Sequence, residues 1–416
     1  MISADRVQKR LDEIYACGAQ NDGTHSRIAF GSEDKRGREI FISYLNKLGL
    51  TAKQDLAGNL IARWDGRNPD LPPIMMGSHL DTVPNGGKFD GAYGCVGALE
   101  VVEALMESGE RLYHPIEIIV FADEEGVRFG KGLSGSNAIS GQPLIGFHAE
   151  DCDAQGKSRR EVMGGCGIDF DRMQEAARKK EEVACFLEMH VEQGRALEKA
   201  EKKIGVVTAI AGVSRFQIIV TGETNHSGST MMPDRKDALV GAAGFISQIP
   251  EIVARCGSEY AVGTVGRIAA VPGSVNVIPG KVEFTLEVRE QTDESRALIN
   301  SSLFAAMDKI CEKSGLQYEA RTIADYACAP MDAGIVETID KICAEAGYSH
   351  CRMPSGAFHD AMFMTRSFPT GMIFVPSRGG ISHSPLEFTA PEDIQAGCEV
   401  LYRTVKELDK SLQFSS

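Results

Sequence analysis

The sequence predicts an α/β domain with a mostly parallel sheet, interrupted by a smaller α+β domain with an open antiparallel sheet. At 416 residues, the chain exceeds what one hydrophobic core usually organises. Apolar β-rich runs alternate with helical patterns towards both ends of the chain, whereas the strands in the middle alternate polar and apolar residues. We therefore expect a first domain formed by 1–204 and 325–416 and an inserted domain over 205–324.

In the first domain, helical periodicity predicts helices near 3–17, 34–48, 91–108, 332–346 and 391–410. Apolar runs predict the strands PPIMMGSH (72–79), IEIIVFA (116–122), VACFLEMH (183–190) and TGMIFVPS (370–377). Each of these runs is followed by polar residues. In an open α/β sheet the carboxyl ends of the strands gather at one edge, where ligands bind.

The inserted domain has a different order and pattern of predicted strands and helices. Its predicted strands lie in IGVVTAIAGVSRFQIIVTGET (204–224), GTVGRIAAV (263–271) and KVEFTLEVRE (281–290). Helices are predicted near 235–255 and 293–313. This order of β, helix, β, β and helix favours an antiparallel sheet with helices on one face.

Charge and composition argue against several classes of partner. The formal net charge is −14, and there is no Lys/Arg-rich stripe of the kind that a phosphate backbone requires, so we expect neither nucleic acid nor an anionic membrane as a partner. No apolar run reaches the length of about 18 residues that spans a bilayer, and the N-terminus has no signal-peptide core. The 11 cysteines form no CxxC pair. We expect a soluble, cytoplasmic protein.

Histidines and carboxylates cluster at four predicted strand ends. These ends are GSHLDTVPNGGKFDGAYG (77–94), DEEG (123–126), LEMHVEQG (187–194) and GGISHSPLE (379–387). One histidine at a strand end is usually the partner of a carboxylate, but so many together point to a metal centre. Imidazole with carboxylate and no thiolate suits zinc, with manganese, cobalt or nickel as substitutes. Two divalent ions would also supply the positive charge that the acidic DEEG turn lacks.

Together with NHSGST (225–230) and PGSVNVIPG (272–280), these motifs resemble a known enzyme group. The group is the N-carbamoyl-L-amino acid hydrolases and allantoate amidohydrolases, within the di-zinc aminoacylase/carboxypeptidase-type superfamily. The resemblance covers essentially the whole chain. It implies a catalytic domain that binds two metal ions, and an inserted domain that serves for dimerisation and as a lid.

The resemblance also implies which residues hold the metals. His79, Asp90 and His190 would hold one ion, and Asp90, Glu125 and His383 the other, with Asp90 bridging.

The neighbouring acids would have different tasks. Glu124 would be the general base, since it stands beside a ligand without being one. The Asp81 carboxylate would accept a hydrogen bond from His79 and so fix its tautomer. No specific role follows for Asp123.

Further residues are implied to contact the substrate. His226 would reach across a homodimer and stabilise the oxyanion in the partner's site. Arg289 and Asn276 would clamp a substrate carboxylate, with Gln193 and Arg215 as additional contacts. Relatives often have Asp where this chain has Glu287, a change that we do not expect to touch the clamp.

A loop in SGAFHDA (355–361) is also implied to line the site. Gly356 and Ala357 would let the backbone approach the substrate closely. Phe358 stands where many allantoate enzymes have a small residue. His359 and Asp360 are expected to orient this loop, and neither is assigned to a metal.

The expected function is metal-dependent hydrolysis of the N-carbamoyl C–N bond of a small ureido-carboxylate, an N-carbamoyl-L-amino acid above all. The products would be the amino acid, ammonia and carbon dioxide. Allantoate or ureidoglycolate-type hydrolysis and a di-zinc aminoacylase or dipeptidase activity are the alternatives. A catalytically dead scaffold would be expected to have lost a ligand or the base, whereas every implied position is intact.

Overall fold

The computed structural model describes residues 1–412. The chain divides into two compact units, one formed by Met1–Thr208 and Pro330–Ser416 and the other by Ala209–Ala329. The limits lie a few residues beyond those predicted from the sequence. The reason is that Gly205 and its neighbours still pair with a strand of the first unit.

The first segment of unit 1 contains six α-helices, two 3-10 helices (Phe170–Ala176 and Lys180–Glu182) and six strands. The helices are α1 (Ala4–Ala16), α2 (Ser32–Lys47), α3 (Ala92–Glu107), α4 (Ser134–Ile139), α5 (Arg159–Gly164) and α6 (Ala196–Lys199). The strands are β1 (Ala52–Gln54), β2 (Leu60–Trp64), β3 (Ile74–His79), β4 (Ile116–Phe121), β5 (Cys185–Val191) and β6 (Ile204–Ile210).

Unit 2 follows, and then the chain returns to unit 1. The helices of unit 2 are α7 (Ala238–Ile246), α8 (Ile249–Cys256) and α9 (Asp293–Ser314). Its strands are β7 (Gly212–Thr221), β8 (Asn225–His226), β9 (Val262–Thr264), β10 (Ile268–Val271), β11 (Val277–Ile278), β12 (Lys281–Glu290) and β13 (Gln317–Tyr326). The returning segment contains β14 (Ala329–Pro330), α10 (Ala333–Ala346), β15 (His350–Ser355), α11 (Ala361–Met364), β16 (Thr370–Val375) and α12 (Pro391–Leu412).

A nine-stranded sheet organises unit 1, in the order β1-β2-β4-β3-β5-β16-β6-β14, with β15 also paired to β6. Its four central strands, β4, β3, β5 and β16, run parallel. Antiparallel pairs flank them, β2 on β4 and β6 on β16. All four central strands are buried along their whole length, which explains their continuous apolar runs. The predicted fold class is confirmed, and the antiparallel edges are an addition to it.

Helix α3 connects the sheet to the site. It packs on β3 and β5 and is covered by α1 and α12, so that most of its residues are buried. Gly94 lies where its first turn meets the sheet. A Cβ at this position would stand 2.4 Å from the main-chain oxygen of Met189 and 2.8 Å from Cβ of Ser78. The absence of a side chain therefore sets how closely the helix approaches β3 and β5.

Unit 2 is an antiparallel sheet of five strands, with β10, β12, β7 and β13 in order and β9 also paired to β12. Helices α7, α8 and α9 bury their apolar residues against it. The helix predicted over 235–255 is in fact two helices, because Pro250 occupies the first turn of α8. Proline lacks the N–H that a continuous helix needs at that point.

Within the described residues, the stretch Ala238–Cys256 is long and apolar enough to cross a membrane, with a mean hydropathy of 1.2. It consists of α7 and α8. Phe245 and Ile252 from these helices are buried in the core of unit 2. We therefore assign the stretch to that core.

Replacing Gly94 by Ala should destabilise unit 1 by about 1–3 kcal/mol, because the added methyl meets main-chain atoms that cannot move aside. Gly164, at the end of α5 in the same unit, has no atom within 4 Å of an added Cβ. Gly164→Ala should therefore be neutral or stabilise by up to about 1 kcal/mol. Urea unfolding followed by circular dichroism measures both, and equal midpoints for the two variants would contradict the packing argument.

Candidate functional site

The predicted ligands meet at the carboxyl ends of the four central strands. His79 is the last residue of β3, and His190 lies near the end of β5. Glu125 follows β4, and His383 lies in the loop after β16. The parallel strands bring these ends to one edge of the sheet, as the sequence indicated. All of them belong to unit 1.

Two groups of side chains share Asp90. His79, Asp90 and His190 form the first, and Asp90, Glu125 and His383 the second; in each group the ligand atoms lie within 4.8 Å of one another. Asp90 Oδ1 is 3.2 Å from Nε2 of His190 and 3.6 Å from Nε2 of His79. Its other oxygen, Oδ2, is 3.3 Å from Nε2 of His383. One carboxylate thus faces both groups, each with a different oxygen.

The two histidines of the first group present the nitrogen that a metal needs. Nδ1 of His79 lies 3.0 Å from the main-chain oxygen of Asp81, and Nδ1 of His190 lies 2.9 Å from that of Val191. A carbonyl only accepts, so in the neutral rings the proton sits on Nδ1 and the lone pair is left on Nε2. Both Nε2 atoms lie within 3.6 Å of Oδ1 of Asp90, and Nε2 of His190 also accepts the main-chain N–H of Gly91 at 3.0 Å.

The role expected for the Asp81 side chain needs correction. Its carboxylate is 3.8 Å from Nδ1 of His79, farther than the main-chain oxygen of the same residue. Instead, the two carboxylate oxygens accept the main-chain N–H groups of Glu124, at 3.3 Å, and Glu125, at 3.1 Å. Asp81 therefore fixes the acidic turn with its side chain and the His79 tautomer with its backbone.

Glu124 and Glu125 are adjacent but face different neighbours. Oε2 of Glu124 lies 3.5 Å from Nε2 of His79, and Oε2 of Glu125 lies 3.7 Å from Nε2 of His383. Burial raises the pKa of each well above its usual value, and a nearby carboxylate, Glu125 for the first and Asp90 for the second, adds to the shift. The positive charge that the chain places near the DEEG turn is thus too small to balance these two carboxylates.

These observations fit a pair of divalent cations. Oε1 of Glu125 is buried and has no hydrogen-bond partner among the described residues. The two groups offer imidazole nitrogens and carboxylate oxygens without a thiolate, which is a donor set suited to zinc and its substitutes.

Three side chains hold Asp90 in place, and the sequence did not predict that they act together. Oδ2 of Asp90 accepts from Nε2 of Gln193 at 2.8 Å and lies 3.1 Å from Oγ of Ser382. Glu387 accepts the main-chain N–H groups of Phe89, at 2.7 Å, and of Asp90, at 3.1 Å. Ser382 and Glu387 lie on either side of His383 in the ISHSPLE motif. Their position in this motif is the sequence feature that could have indicated their contact with Asp90. Gln193, expected at the substrate, here contacts a metal-ligand candidate.

Gly91 is required beside this carboxylate. Its φ is +62°, and a Cβ there would stand 2.4 Å from Cε1 of His79. Any other residue would combine a strained backbone with a collision against the imidazole.

Asp123 has a partner that no local motif reveals. Its buried carboxylate lies 3.4 Å from Nη1 of Arg159, whose side chain is also buried. Burial and the nearby Asp81 raise the pKa of Asp123 well above its usual value, and the Arg159 charge opposes that shift. Part of the positive charge near DEEG thus comes from the chain itself.

The loop after β15 packs beside His190. The His359 ring meets the His190 ring edge to face at 4.4 Å, and Nε2 of His359 lies 2.8 Å from Oγ of Ser355. Ser355 Oγ also accepts the main-chain N–H of Ala357 at 3.1 Å. A Cβ at Gly356 would meet no atom within 4 Å.

The other candidates belong to unit 2. His226 in β8 pairs with Val277 in β11, next to Asn276. Nδ1 of His226 accepts the main-chain N–H groups of Gly228, at 3.1 Å, and Ser229, at 3.2 Å. In the neutral ring the proton is therefore on Nε2, and the exposed side chain is a hydrogen-bond donor.

Glu287 joins the two arginines, contrary to the expectation that it would not touch the clamp. Arg215 and Glu287 are cross-strand neighbours on β7 and β12. The Glu287 carboxylate accepts from Nε of Arg215 and from Nε of Arg289, each at 2.8 Å. The trio has a net charge of about +1.

Comparison with known proteins identifies the family. Residues 75–407 match the profile of peptidase family M20/M25/M40. The chain is 39% identical over 409 residues to the N-carbamoyl-L-amino acid amidohydrolase of Geobacillus stearothermophilus, covering 98% of this chain and 99% of that protein. It is 33% identical over 391 residues to the allantoate amidohydrolase of Bacillus subtilis, covering 94% of each.

Solved structures support the same family assignment. A hydantoinase/carbamoylase family amidase from Burkholderia multivorans superposes with a TM-score of 0.90 at 33% identity, covering 98% of both chains. The profile match and the full-length similarity, together with the paired ligand groups, show that this chain is a member of peptidase family M20/M25/M40, a metal-dependent hydrolase family.

Proposed function

We propose that this protein hydrolyses the N-carbamoyl C–N bond of an N-carbamoyl-L-amino acid, releasing the amino acid, ammonia and carbon dioxide. The observation that carries the proposal is the pair of ligand groups around Asp90, with Glu124 beside them and outside both. The Geobacillus and Bacillus relatives are named for ureido-carboxylate substrates, N-carbamoyl-L-amino acids and allantoate.

Two divalent ions, zinc in the first place and manganese, cobalt or nickel as substitutes, would be held by the two groups. Their ligands would be His79, Asp90, His190, Glu125 and His383. When bound, such ions polarise a carbonyl and lower the pKa of water.

Glu124 acts as the general base. Its oxygen is within 3.5 Å of the first ligand group, and Asp81 fixes its backbone. It accepts the proton of the attacking water and later returns it to the leaving nitrogen. Burial and the neighbouring carboxylates raise the pKa of Glu124, and two bound cations would lower it again and favour the ionised form that accepts a proton.

Unit 2 supplies the remaining contacts. His226 has its donor nitrogen directed away from its own loop, as a group that hydrogen-bonds an oxyanion requires. We propose that it does so in the partner subunit of a homodimer. Arg289 and Asn276, with Arg215, bind the substrate carboxylate. The net charge of about +1 on the Arg215–Glu287–Arg289 trio matches a single carboxylate.

Allantoate or ureidoglycolate-type hydrolysis is the alternative that the relatives favour, since the Bacillus subtilis protein is an allantoate amidohydrolase. Phe358 in the loop beside His190 argues for the amino acid derivative, because this position is expected to be small in allantoate enzymes. A dipeptidase or aminoacylase activity would share the metal chemistry.

A substrate panel tests the function. We expect metal-reconstituted protein to release ammonia faster from N-carbamoyl-L-amino acids than from N-carbamoyl-β-alanine or allantoate at equal concentration. Dipeptides should not be cleaved. If a dipeptide is hydrolysed and no ureido compound is, the proposal is wrong. Faster turnover of allantoate would select the alternative.

Glu124→Gln and Glu125→Gln separate the two adjacent acids. The first should lower kcat by at least about 100-fold and leave the metal content unchanged, because it removes the base only. The second should lose metal from the group that contains His383. Metal analysis by inductively coupled plasma mass spectrometry, together with ammonia release, measures both. Metal loss in Glu124→Gln would reassign that residue as a ligand.

Mixed dimers test whether His226 acts across the interface. His226→Ala and Glu124→Gln subunits are each expected to be inactive alone. When both are co-expressed and assemble at random, about half of the dimers are heterodimers. Each heterodimer has one site that combines an intact Glu124 with the partner's intact His226. The mixture should therefore have about a quarter of wild-type activity. If His226 acts within its own subunit, the mixture stays inactive.

A further inference from the structure

A buried ion pair lies directly behind the acidic turn. Nη1 of Arg159 is 3.4 Å from Oδ2 of Asp123, and the exposed fractions of the two side chains are 1% and 0%. Arg159 is the first residue of α5, 36 positions after its partner. Isolated charges are almost never buried this completely, so the pair needs an explanation beyond surface electrostatics.

The guanidinium is fixed from several sides. It stacks over the rings of Phe129, 4.4 Å from the centroid, and Phe147, at 5.2 Å. Nη2 lies 3.6 Å from Oδ2 of Asp151, and the main-chain N–H of Arg159 donates to the Asp151 carbonyl at 2.8 Å. Two aromatic rings and a second carboxylate thus hold the cation against Asp123.

Asp123 in turn has a strained backbone. Its φ is +56°, a left-handed conformation that costs a non-glycine residue about 1–2 kcal/mol. Because the chain reverses at this residue, the next two N–H groups reach the carboxylate of Asp81. On the other side of the turn, the Glu124 carbonyl accepts the N–H of Leu133 at 2.9 Å.

We propose that Arg159 is a positioning residue for the reaction. By holding Asp123 in its left-handed conformation, it keeps the turn in the form that sends Glu124 towards His79 and Glu125 towards His383. The inference rests on the proposed role of Glu124 as the base. It gives the segment that contains Phe129, Phe147 and α5 a part in catalysis, although none of its residues belongs to either ligand group.

The test compares Arg159→Met with Arg159→Lys and with Arg160→Met. Methionine keeps much of the length and removes the charge, whereas lysine keeps the charge. Arg160 is the next residue on the same helix, is 45% exposed and pairs with Asp171 at 2.7 Å, so its variant is a matched control. Each protein is measured metal-loaded for kcat, KM, metal content and thermal unfolding, on whichever substrate the wild type hydrolyses.

Arg159→Met should lower kcat by about 100-fold, the effect of a misplacement near 1 Å, with KM changed less than about threefold. The metal content of Arg159→Met should match that of the wild type. Arg159→Lys should recover part of the lost kcat. Arg160→Met should have the kcat, KM and metal content of the wild type. Wild-type kcat in Arg159→Met would overturn the proposal. So would a loss of activity that follows a loss of metal.

Hydrogen exchange gives a readout independent of the substrate. In metal-free protein, peptides covering residues 121–127 should exchange at least about tenfold faster in Arg159→Met than in Arg160→Met. Equal exchange overturns the inference. A wild type that hydrolyses no ureido compound refutes the proposed function and leaves the exchange result standing by itself.

If Arg159→Met does not fold, the double variant Asp123→Asn/Arg159→Met tests the positioning role of Arg159 instead. It leaves no unpaired buried charge, so it should fold and still show the low kcat, because the anchor of the turn is gone. Wild-type kcat in the double variant would mean that Arg159 only neutralises Asp123, and the positioning role would be wrong.

Discussion

The structure of unit 1 depends on burying several carboxylates at one edge of a sheet. Asp81, Asp90, Glu124 and Glu125 all lie at or near the ends of β3 and β4, and water does not solvate them freely. Buried like charges are stable only when opposite charge or hydrogen bonds balance them. Peptide N–H groups do this for Asp81 and histidine nitrogens do it for Asp90, and each of the two ligand groups could hold a cation.

Orientation is as important as charge. The carboxylate of Asp90 is held by Gln193 and Ser382, and its backbone by Glu387, so that each oxygen faces one ligand group. A bridging ligand that could rotate would favour one group over the other. Fixing the carboxylate in this way would reduce the reorganisation that a cation between Asp90 and the other members of either group requires.

Charge balance also governs unit 2. Two neighbouring arginines without a counter-charge would repel each other and leave an excess positive charge. Glu287 lies between Arg215 and Arg289 and reduces that excess. The three side chains therefore form one linked group with a net charge of about +1.

Much of this protein could be predicted from the sequence alone. Continuous apolar runs ending in His or acidic residues predicted the buried parallel strands and a metal centre at their ends, because burial and strand direction are local properties of such runs. The individual ligands followed from the family resemblance and stay a prediction. The major helices of unit 1 were placed to within a few residues. Strand β15, HCRMPS, was missed because it is polar over its first half, and the helix near 235–255 was predicted unbroken despite Pro250.

Only the tertiary structure decided the pairings across long stretches of chain. Arg159 meets Asp123 across 36 residues, Gln193 meets Asp90 across 103, and Glu287 meets Arg215 across 72. The sequence shows that carboxylates and cations are present, but not which of them become neighbours. That choice depends on strand order, register and helix packing, which are properties of the whole chain, and it determined which acids share the two ligand groups and which one accepts the N–H groups of the turn.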